Sequence, residues 1–394
     1  MKKTFRTLMF VMTAVALATG FAGCSDDDDD KKDNNNDAVE ATFKTITEQY
    51  VNNTIIYTYK QLAANAEQLV EGLEALQESK TSANLNKVVE NFLNAREWWE
   101  KSEAFLFGPA TSFGIDPHID SWPLDQDRFD ALMSNTNMLE QLDGEDGDIV
   151  ANGLEATLLG FHGLEYVLFK DGAAKSLSEI TDDNLTYAVA VAGDLRNCCY
   201  RLAISWAGED NVPERYAEKM EDAEWEYTVN GGSYSYGQNM LRAGNAGSTY
   251  VSYAHAMQEL ASGCADIADE VGTSKIGSAY SGDDPTYIES PYSQKSIEDF
   301  HNNIISVQNA YMGGVQGVNR DESKSLHNYM KTANASLDTE VMNAIANAIA
   351  KIDAMPKPFV NNKTAAANGK AMEACAELGE VMTKLMVYLG GDED

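Results

Sequence analysis

Residues 43–76 read FKTITEQYVNNTIIYTYKQLAANAEQLVEGLEAL, and the apolar side chains in this stretch recur every three or four positions. The series consists of Phe43, Ile46, Tyr50, Val51, Ile55, Tyr59, Leu62, Ala66, Leu69, Leu73 and Leu76. Recurrence near the 3.6-residue turn of an α-helix is typical of an amphipathic helix with one face against a core. The stretch therefore predicts a long first helix, and residues 85–104 continue the pattern in a second one.

Helical periodicity covers most of the remaining chain. Further helices are predicted near residues 149–169, 185–206, 250–272, 294–318, 322–352 and 362–389. Two stretches interrupt the pattern: residues 109–123, which hold several turn formers and prolines, and residues 225–250, which are rich in Gly, Ser, Tyr and Asn. The first is predicted to be an irregular segment and the second an ordered loop or insertion. Because no stretch sustains strand alternation, we predict an all-α protein of two helical bundles, joined between residues 170 and 210.

Residues 1–23 have the organisation of a secretory signal peptide. A basic start precedes a short apolar run, residues 8–17, whereas a membrane span needs about 20 residues. The run leads into Ala22-Gly23-Cys24, which resembles a bacterial lipobox. We therefore predict a lipid on Cys24 that anchors the protein to a membrane. A plain signal peptide followed by a chance cysteine is the alternative.

Residues 24–37 read CSDDDDDKKDNNND. Such a polar, charged run buries no apolar surface and is predicted to be a disordered acidic tether. A Ser-Asp-rich run directly after a lipidated cysteine is similar to the surface-export signal of Bacteroidetes lipoproteins. The expected location is therefore the outer surface of a bacterial outer membrane, with its periplasmic face as the alternative.

The chain is strongly acidic. It carries 29 basic and 62 acidic residues, a formal net charge of −33. A field of this sign repels nucleic acid and concentrates cations, so we expect no nucleic-acid partner. Beyond Cys24 there are four cysteines, of which Cys198 and Cys199 are adjacent. Their spacing does not indicate a disulfide framework, and we expect buried thiols.

A His–Glu pair stands in the most apolar part of the chain, Gly160-Phe161-His162-Gly163-Leu164-Glu165. The surrounding residues 149–169 are apolar nearly all round, which predicts a buried helix. His162 and Glu165 lie three residues apart and share a helix face. An ionised Glu at such a place must be paired, protonated or metal-bound. Gly160 and Gly163 indicate that a neighbouring segment approaches closely.

Three interpretations of this pair stay open. The first is a satisfied polar network with a structural role. The second is a metal site, in which further ligands would come from Glu103, Asp116, His118 or Asp120. The third is a metallopeptidase, although the two-histidine zinc pattern of that class is absent.

Several motifs together resemble the imelysin family, which carries a peptidase M75 label. Gly160-x-His162-x-x-Glu165 is similar to the family signature. The resemblance also includes Ala95-Arg96-Glu97 with Glu103-Ala104-Phe105, the Asp120-Ser121-Trp122-Pro123-Leu124-Asp125 loop, and Glu289-Ser290-Pro291-Tyr292-Ser293 with Ser296 and Asp299. It covers roughly residues 40–390.

The resemblance implies an all-α fold of two related four-helix-bundle-like domains, which we place at residues 38–175 and 176–394. It also implies an envelope protein linked to iron uptake, with a site near the interdomain cleft. On this basis the expected metal ligands are His162, Glu165, Glu103 and Asp120. The expected ligand-binding residues are Arg96, Trp122, Gly160, Ser290 and Ser293.

We therefore expect a non-catalytic lipoprotein that binds a metal, iron or zinc, or a metal-bearing ligand in iron or haem uptake. No residue is assigned a catalytic role. The expected partners are the membrane, reached through the lipid anchor, an iron or haem ligand, and envelope transport proteins. A metal-dependent peptidase and a structural or adhesive surface module are the alternatives.

Overall fold

A computed structural model of the protein describes residues 29–142 and 144–391. The α-helices are α1 (Asp29–Tyr50), α2 (Ile56–Glu78), α3 (Ser82–Glu100), α4 (Pro109–Ser112), α5 (Ile115–Ile119), α6 (Gln126–Met133), α7 (Thr136–Leu139), α8 (Asp148–Gly153), α9 (Gly160–Leu168), α10 (Asp182–Ala207), α11 (Glu214–Asp222), α12 (Tyr236–Leu241), α13 (Tyr253–Glu270), α14 (Gly277–Ser281), α15 (Ser296–Met312), α16 (Leu326–Ala333), α17 (Ala335–Asp353), α18 (Phe359–Asn362) and α19 (Ala366–Tyr388). Two-residue strands, β1 (Phe169–Lys170) and β2 (Ala173–Ala174), pair antiparallel. The predicted all-α fold class is confirmed.

Two wider, π-type turns continue the long helices. Val51–Ile55 joins α1 to α2, and Val271–Ile276 joins α13 to α14. Single 3₁₀ turns occur at Glu103–Phe105, Gly144–Asp146, Ala156–Leu158, Glu209–Asn211, Val229–Gly231 and Glu322–Lys324. The turns at 103–105 and 271–276 matter most, because both carry residues of the site described below.

The chain divides into two compact units, residues 1–39 and residues 40–394. In the first unit α1 begins at Asp29, inside the segment predicted to be a disordered tether. Residues 29–37 are therefore helical rather than irregular, because extending an existing helix gains one hydrogen bond for each residue that is ordered. The signal peptide, Cys24 and the rest of the tether lie outside the described residues, so the lipid anchor stays a prediction.

Within the second unit, α2, α3 and α10 form the first bundle. α2 packs along both α3 and α10, and α9 packs on α10. The apolar series that opened the sequence lies in the core, where Leu62, Leu69, Leu73 and Leu76 are fully buried. α10 begins with a capping box between Thr181 and Asn184, and is buried over most of its length. The predicted boundary between the two domains lies at residue 175, and α10 comes after it in the sequence. The first bundle therefore includes a long helix from the second predicted domain, and the boundary itself stays a prediction.

The helices α13, α15, α17 and α19 form the second bundle. Each of them packs on two of the others, in the order α13, α15, α17, α19 and back to α13. Their inward residues, including Leu260, Ile304, Ile345 and Leu378, are buried at 1 % exposure or less. The bundles meet where α15 contacts α3, and where α13 and α15 contact the Glu103–Phe105 turn. This junction positions the site.

Residues 109–123 are more regular than predicted, since they contain α4 and α5. Pro109 stands at the first turn of α4, where a missing N–H costs nothing. Gly114 separates the two helices in a left-handed conformation, with φ of 62°. Two short helices thus satisfy backbone groups that an irregular loop would have exposed.

Residues 149–169, predicted as one helix, are broken into α8, a 3₁₀ turn and α9. The break ends at Gly160, whose φ is 61°. A Cβ at Gly160 would collide with the carbonyl group of Ile119 at the end of α5. α9 therefore lies directly against the backbone of α5, a close approach that only glycine permits.

Of the helices the structure describes, none combines the length and the apolar composition that crossing a membrane requires. The cysteines at 198, 199, 264 and 375 are buried free thiols, as expected.

Candidate functional site

Helix α9 carries His162 and Glu165 on one buried face. Both residues are nearly inaccessible, with 2 % and 1 % exposure. The helix is buried around most of its circumference, so neither side chain can reach solvent without disturbing its neighbours. Each must therefore find its partners inside the protein.

His162 lies between two carboxylates. Its Nε2 atom is 2.9 Å from Asp120 Oδ1, and its Nδ1 atom is 3.5 Å from Glu165 Oε2. Burial alone would disfavour a charged imidazole, but interaction with Asp120 and Glu165 outweighs it and raises the pKa of His162 to about 9. His162 is therefore an imidazolium at neutral pH. Nε2 nevertheless makes no well-directed hydrogen bond within the described residues.

Glu165 ties α9 to a segment more than a hundred residues away. Its Oε1 atom accepts hydrogen bonds from the Tyr292 N–H at 3.0 Å, from the Ser293 N–H at 2.7 Å and from the Ser293 hydroxyl at 2.7 Å. Its Oε2 atom faces His162 and has no hydrogen-bond partner among the described residues. One oxygen therefore anchors the 289–293 segment, and the other completes the pair with His162.

Arg96 on α3 is the central cation of the site, with 3 % exposure. It forms ion pairs with Asp120, with Glu100 Oε1 at 2.6 Å and with Glu289 Oε1 at 2.7 Å. Burial opposes its charge, but the Asp120 and Glu100 carboxylates hold the pKa of Arg96 above its usual value. The guanidinium carbon also stands 5.1 Å from the centre of the Phe161 ring. The planar guanidinium fork carries several N–H donors, so it can bridge these carboxylates in a fixed geometry.

Asp120 connects α5 to the rest of the site. Its Oδ2 atom accepts a hydrogen bond from Trp99 Nε1 at 2.7 Å, while Oδ1 contacts Arg96 and His162. Burial would raise the pKa of Asp120, but Arg96 and His162 hold it well below its usual range. Asp120 is therefore an ionised carboxylate, and both of its oxygen atoms contact donor groups.

The segment before α15 supplies further buried polar groups. Ser290, with φ of 48°, donates its hydroxyl hydrogen to Asp299 Oδ2. Burial raises the pKa of Asp299 to about 7, in spite of the nearby Arg96. Ser296 donates to the Glu289 carbonyl. These contacts hold residues 289–296 in one conformation.

Lys275, in the Val271–Ile276 turn, is the second buried cation of the site. Its Nζ atom donates to Glu289 Oε1 at 2.9 Å and lies 3.8 Å from Glu103 Oε1. Burial disfavours its charge, but Glu103 and Glu289 hold the pKa of Lys275 above its usual value.

The sequence did not indicate Lys275, Glu100 or Glu289 as site residues. Glu100 follows Arg96 by one helical turn, a spacing that could have indicated it; no local pattern indicates Lys275.

A cavity of about 220 Å³ opens beside this network. Its lining residues are Glu103, Leu106, Asp116, Pro117, Asp120, Ser121, Trp122, Glu270, Lys275 and Tyr287. The Trp122 and Tyr287 rings lie against each other, with centres 3.8 Å apart. The cavity thus combines one aromatic wall with four carboxylates and one ammonium group.

Two carboxyl groups of the cavity, Asp116 and Glu103, resist ionisation, unlike Asp120. Burial raises the pKa of Asp116 to about 7, with a further contribution from Asp120. Burial also raises the pKa of Glu103 well above its usual value, with a further contribution from Glu100, in spite of the nearby Lys275. Both shifts have the sign expected where negative charges outnumber positive ones.

The structure brings the predicted site residues together around this network. Arg96, Asp120, His162 and Glu165 are linked through direct contacts, and Ser293 joins them through Glu165. The remaining predicted residues adjoin the network. Glu103 and Trp122 line the cavity, Ser290 binds Asp299, and Gly160 packs on Ile119.

Two groups of side chains at this site have the spacing of metal ligands, Asp120–His162–Glu289 and Glu100–Glu103–Asp120. The first fits a metal poorly, because Arg96 already bridges Asp120 and Glu289. In the second group, Glu100 is engaged by Arg96 and by Asn303 Nδ2 at 2.6 Å. Glu103 is bound less tightly, since its closest ion-pair partner, Lys275, is 3.8 Å away. The oxygen atoms that remain available to a cation therefore belong to residues that line the cavity, such as Glu103.

Comparison with known proteins agrees with this architecture. The family model described as Imelysin matches residues 55–385. Iron-regulated protein A of Synechococcus elongatus is 26 % identical over 353 residues, 90 % of this chain and 86 % of the relative. A crystal structure from Parabacteroides distasonis, named as an iron-regulated protein A precursor, is 27 % identical with a TM-score of 0.70 and covers 88 % of this chain and 95 % of its own. An imelysin-like protein from Psychrobacter arcticus has the same fold, with a TM-score of 0.58 at 15 % identity over 89 % of this chain and 96 % of its own.

Proposed function

The chain belongs to the imelysin family, and we propose that it is a non-catalytic binding protein that captures a metal cation, or a metal-bearing ligand, in the cavity beside His162. Its similarity to iron-regulated protein A supports a role in iron or haem acquisition. The lipid on Cys24 and a position at the outer membrane surface belong to the proposal, on the strength of the N-terminal sequence.

The excess of carboxylates at the cavity carries the proposal. Glu103, Asp116, Asp120 and Glu270 line it, and the one basic residue of the lining is Lys275. A cation relieves the repulsion between crowded carboxylates, and it must displace the protons that these groups hold. Burial is the main cause of the raised pKa values of Glu103 and Asp116, and a bound cation would offset the repulsion from Glu100 and Asp120 that adds to it.

The proposal assigns different tasks to the two groups of residues. Glu103 and Asp116 would bind the cation, with Glu270 beside them, because their carboxylates line the cavity. His162 and Glu165 would hold Asp120 and the 289–293 segment in place. A protonated imidazole has no lone pair to give, so His162 would bind a metal only after losing its proton. The metal-ligand role expected for His162 and Glu165 stays a prediction.

Oxygen donors favour hard cations. Carboxylates also bind iron in helical-bundle proteins, and iron is the cation that the relatives suggest. A catalytic zinc would instead have three protein ligands, usually including neutral histidines, and an open position. The cavity lining offers no histidine, which favours capture over peptide hydrolysis.

Isothermal titration of the purified protein with Fe²⁺, Mn²⁺ and Zn²⁺, under anaerobic conditions for iron, tests this function. We expect one site of micromolar or tighter affinity for Fe²⁺. The double variant Glu103→Gln/Asp116→Asn should weaken it at least about tenfold, a change of about 1.4 kcal/mol. Glu71→Gln, an exposed carboxylate on α2, is the matched control and should bind as the natural protein does.

Two results would overturn the proposal: no binding at micromolar concentration, or equal binding by the double variant. A peptidase assay on the same samples separates the rival function. Hydrolysis that depends on added zinc and disappears in Glu165→Ala would establish the peptidase instead.

A further inference from the structure

We propose that His118, Asp194 and Cys198 form a second metal site, selective for a borderline divalent cation such as Zn²⁺. It is separate from the carboxylate cavity and independent of its function. His118 lies on α5, and the two other residues lie on α10. The inference depends on the mutual geometry of three different kinds of ligand.

Helix α10 carries two of the three ligands, Asp194 and Cys198. Asp194 and Cys198 are four residues apart, which places both side chains on one face of the helix. α5 packs against that helix and supplies His118, whose Nε2 atom is 2.9 Å from one Asp194 carboxylate oxygen and 3.1 Å from the other. One donor atom from each residue lies within 4.8 Å of the others.

These separations are close to those of a zinc site. Bonds of about 2.0–2.3 Å at tetrahedral angles place ligand atoms about 3.3–3.8 Å apart. The donor atoms that lie farthest apart, within 4.8 Å, must therefore approach by at most about 1 Å, while the His118–Asp194 pair at 2.9 Å must separate slightly. Three protein ligands leave a fourth position for water.

Burial gives the site an inner and an outer side. Asp194 is fully buried and Cys198 has 4 % exposure, whereas the His118 side chain keeps a quarter of its surface accessible. A cation would thus enter past His118 and meet the carboxylate and the thiol inside. The neighbouring Cys199 is equally buried but is not part of the group, so position along α10 distinguishes the two cysteines.

The donor set separates this site from the cavity. Thiolate and imidazole ligands favour Zn²⁺ and its neighbours in the transition series, whereas the cavity offers carboxylates for hard cations. α5 also carries Asp116 of the cavity, two residues before His118, and side chains at that spacing point in different directions. The same short helix would therefore serve both sites.

Binding requires proton release and no electron transfer. The Cys198 thiol loses its proton to solvent as the metal–sulfur bond forms, and any proton on His118 Nε2 leaves in the same way. Asp194 exchanges its contact with that nitrogen for a bond to the cation. Burial raises the pKa of the Cys198 thiol, so metal binding must supply the energy that removes this proton.

Cobalt(II) tests the site directly, because a Co²⁺–thiolate bond gives a charge-transfer band in the near ultraviolet. The full-length protein, kept reduced with a phosphine, is titrated with Co²⁺ and then with Zn²⁺. We expect a band that saturates at one equivalent and disappears when Zn²⁺ displaces the cobalt. Glu103→Gln/Asp116→Asn should keep the band.

Cys198→Ser should lose the band and bind Zn²⁺ at least tenfold more weakly. Cys199→Ser is the matched control and should retain both properties. His118→Gln, at the partly exposed position, provides a variant that should fold normally and still bind at least tenfold more weakly. Absence of the band in the natural protein, its persistence in Cys198→Ser, or unchanged Zn²⁺ affinity in a folded His118→Gln protein would each refute the site.

Discussion

Glu165 accepts a hydrogen bond from the Ser293 hydroxyl at 2.7 Å, across 128 residues of sequence. The Ser293 backbone N–H donates to the same oxygen at 2.7 Å. A buried carboxylate of the first half of the chain is thereby solvated by a segment of the second half. This contact replaces water that the Glu165 side chain loses on burial.

Removing the Ser293 hydroxyl should destabilise the protein measurably. In Ser293→Ala the Glu165 carboxylate loses one of its three donors, at a cost of about 1–3 kcal/mol. Urea unfolding measures the free energy. Ser82→Ala, an exposed serine at the start of α3, should stay within about 0.5 kcal/mol of the natural protein. Equal stability of the two variants would mean that the hydroxyl contributes nothing to this anchor.

Arg96 should be the most sensitive side chain of the network. Arg96→Met removes the cation between Asp120, Glu100 and Glu289, and leaves buried carboxylates without their partner. Loss of one member of a buried ion pair costs about 3–5 kcal/mol. Thermal and urea unfolding measure it. Arg128→Met, half exposed in its ion pairs, is the control and should change stability by less than about 1 kcal/mol. If Arg96→Met lowers the free energy of unfolding no more than the control does, the carboxylates do not depend on the Arg96 charge and the prediction is wrong.

Stability should fall with rising pH through the titration of His162. Its pKa rises from 6.5 in the unfolded chain to about 9 in the folded protein, so its contribution is complete below pH 6.5 and is lost as the pH approaches and passes 9. The contribution is on the order of 3 kcal/mol, since one pKa unit equals about 1.4 kcal/mol.

The comparison of His162→Gln with the natural protein, by urea unfolding at pH 6 and pH 9.5, isolates this titration from that of other groups. The variant should show a smaller loss of stability between the two values. His301→Gln, at a partly exposed histidine paired with Asp353, should keep the full loss. The same loss in all three proteins would contradict the raised pKa.

Gly160 should tolerate no side chain. In Gly160→Ala the new Cβ would collide with the Ile119 carbonyl, and the residue would have to keep a φ of 61°. Both effects destabilise, so we expect a loss of several kcal/mol or a failure to fold, measured by circular dichroism on heating. Gly153→Ala is the control, because its Cβ would meet open space at an ordinary φ. It should be neutral or stabilising by about 0.4–1 kcal/mol.

The candidate site was partly accessible from the sequence. His162 and Glu165 share a helix face by spacing alone, and the resemblance to imelysins added Arg96, Asp120 and Ser293. Lys275 had no such indicator, because it lies just beyond the helix predicted at 250–272. The π-type turn at Val271–Ile276 carries it and brings it to Glu289. The Cys198 thiol likewise had no predicted partner, since the His118 ring nitrogen within 4.8 Å of it belongs to another helix.

The amino-acid sequence by itself determined most of the long helices, because a 3.6-residue apolar period and its capping residues act over one or two turns. The series from Phe43 to Leu76 predicts one long helix on that basis, which comprises the end of α1, the π-type turn and α2, and Thr181 with Asn184 begins α10. Only the tertiary structure decided which buried charges meet. Arg96 and Glu289 are 193 residues apart, and Glu165 and Ser293 are 128 apart. Such pairs depend on how the two bundles pack, and a local sequence pattern does not specify that packing.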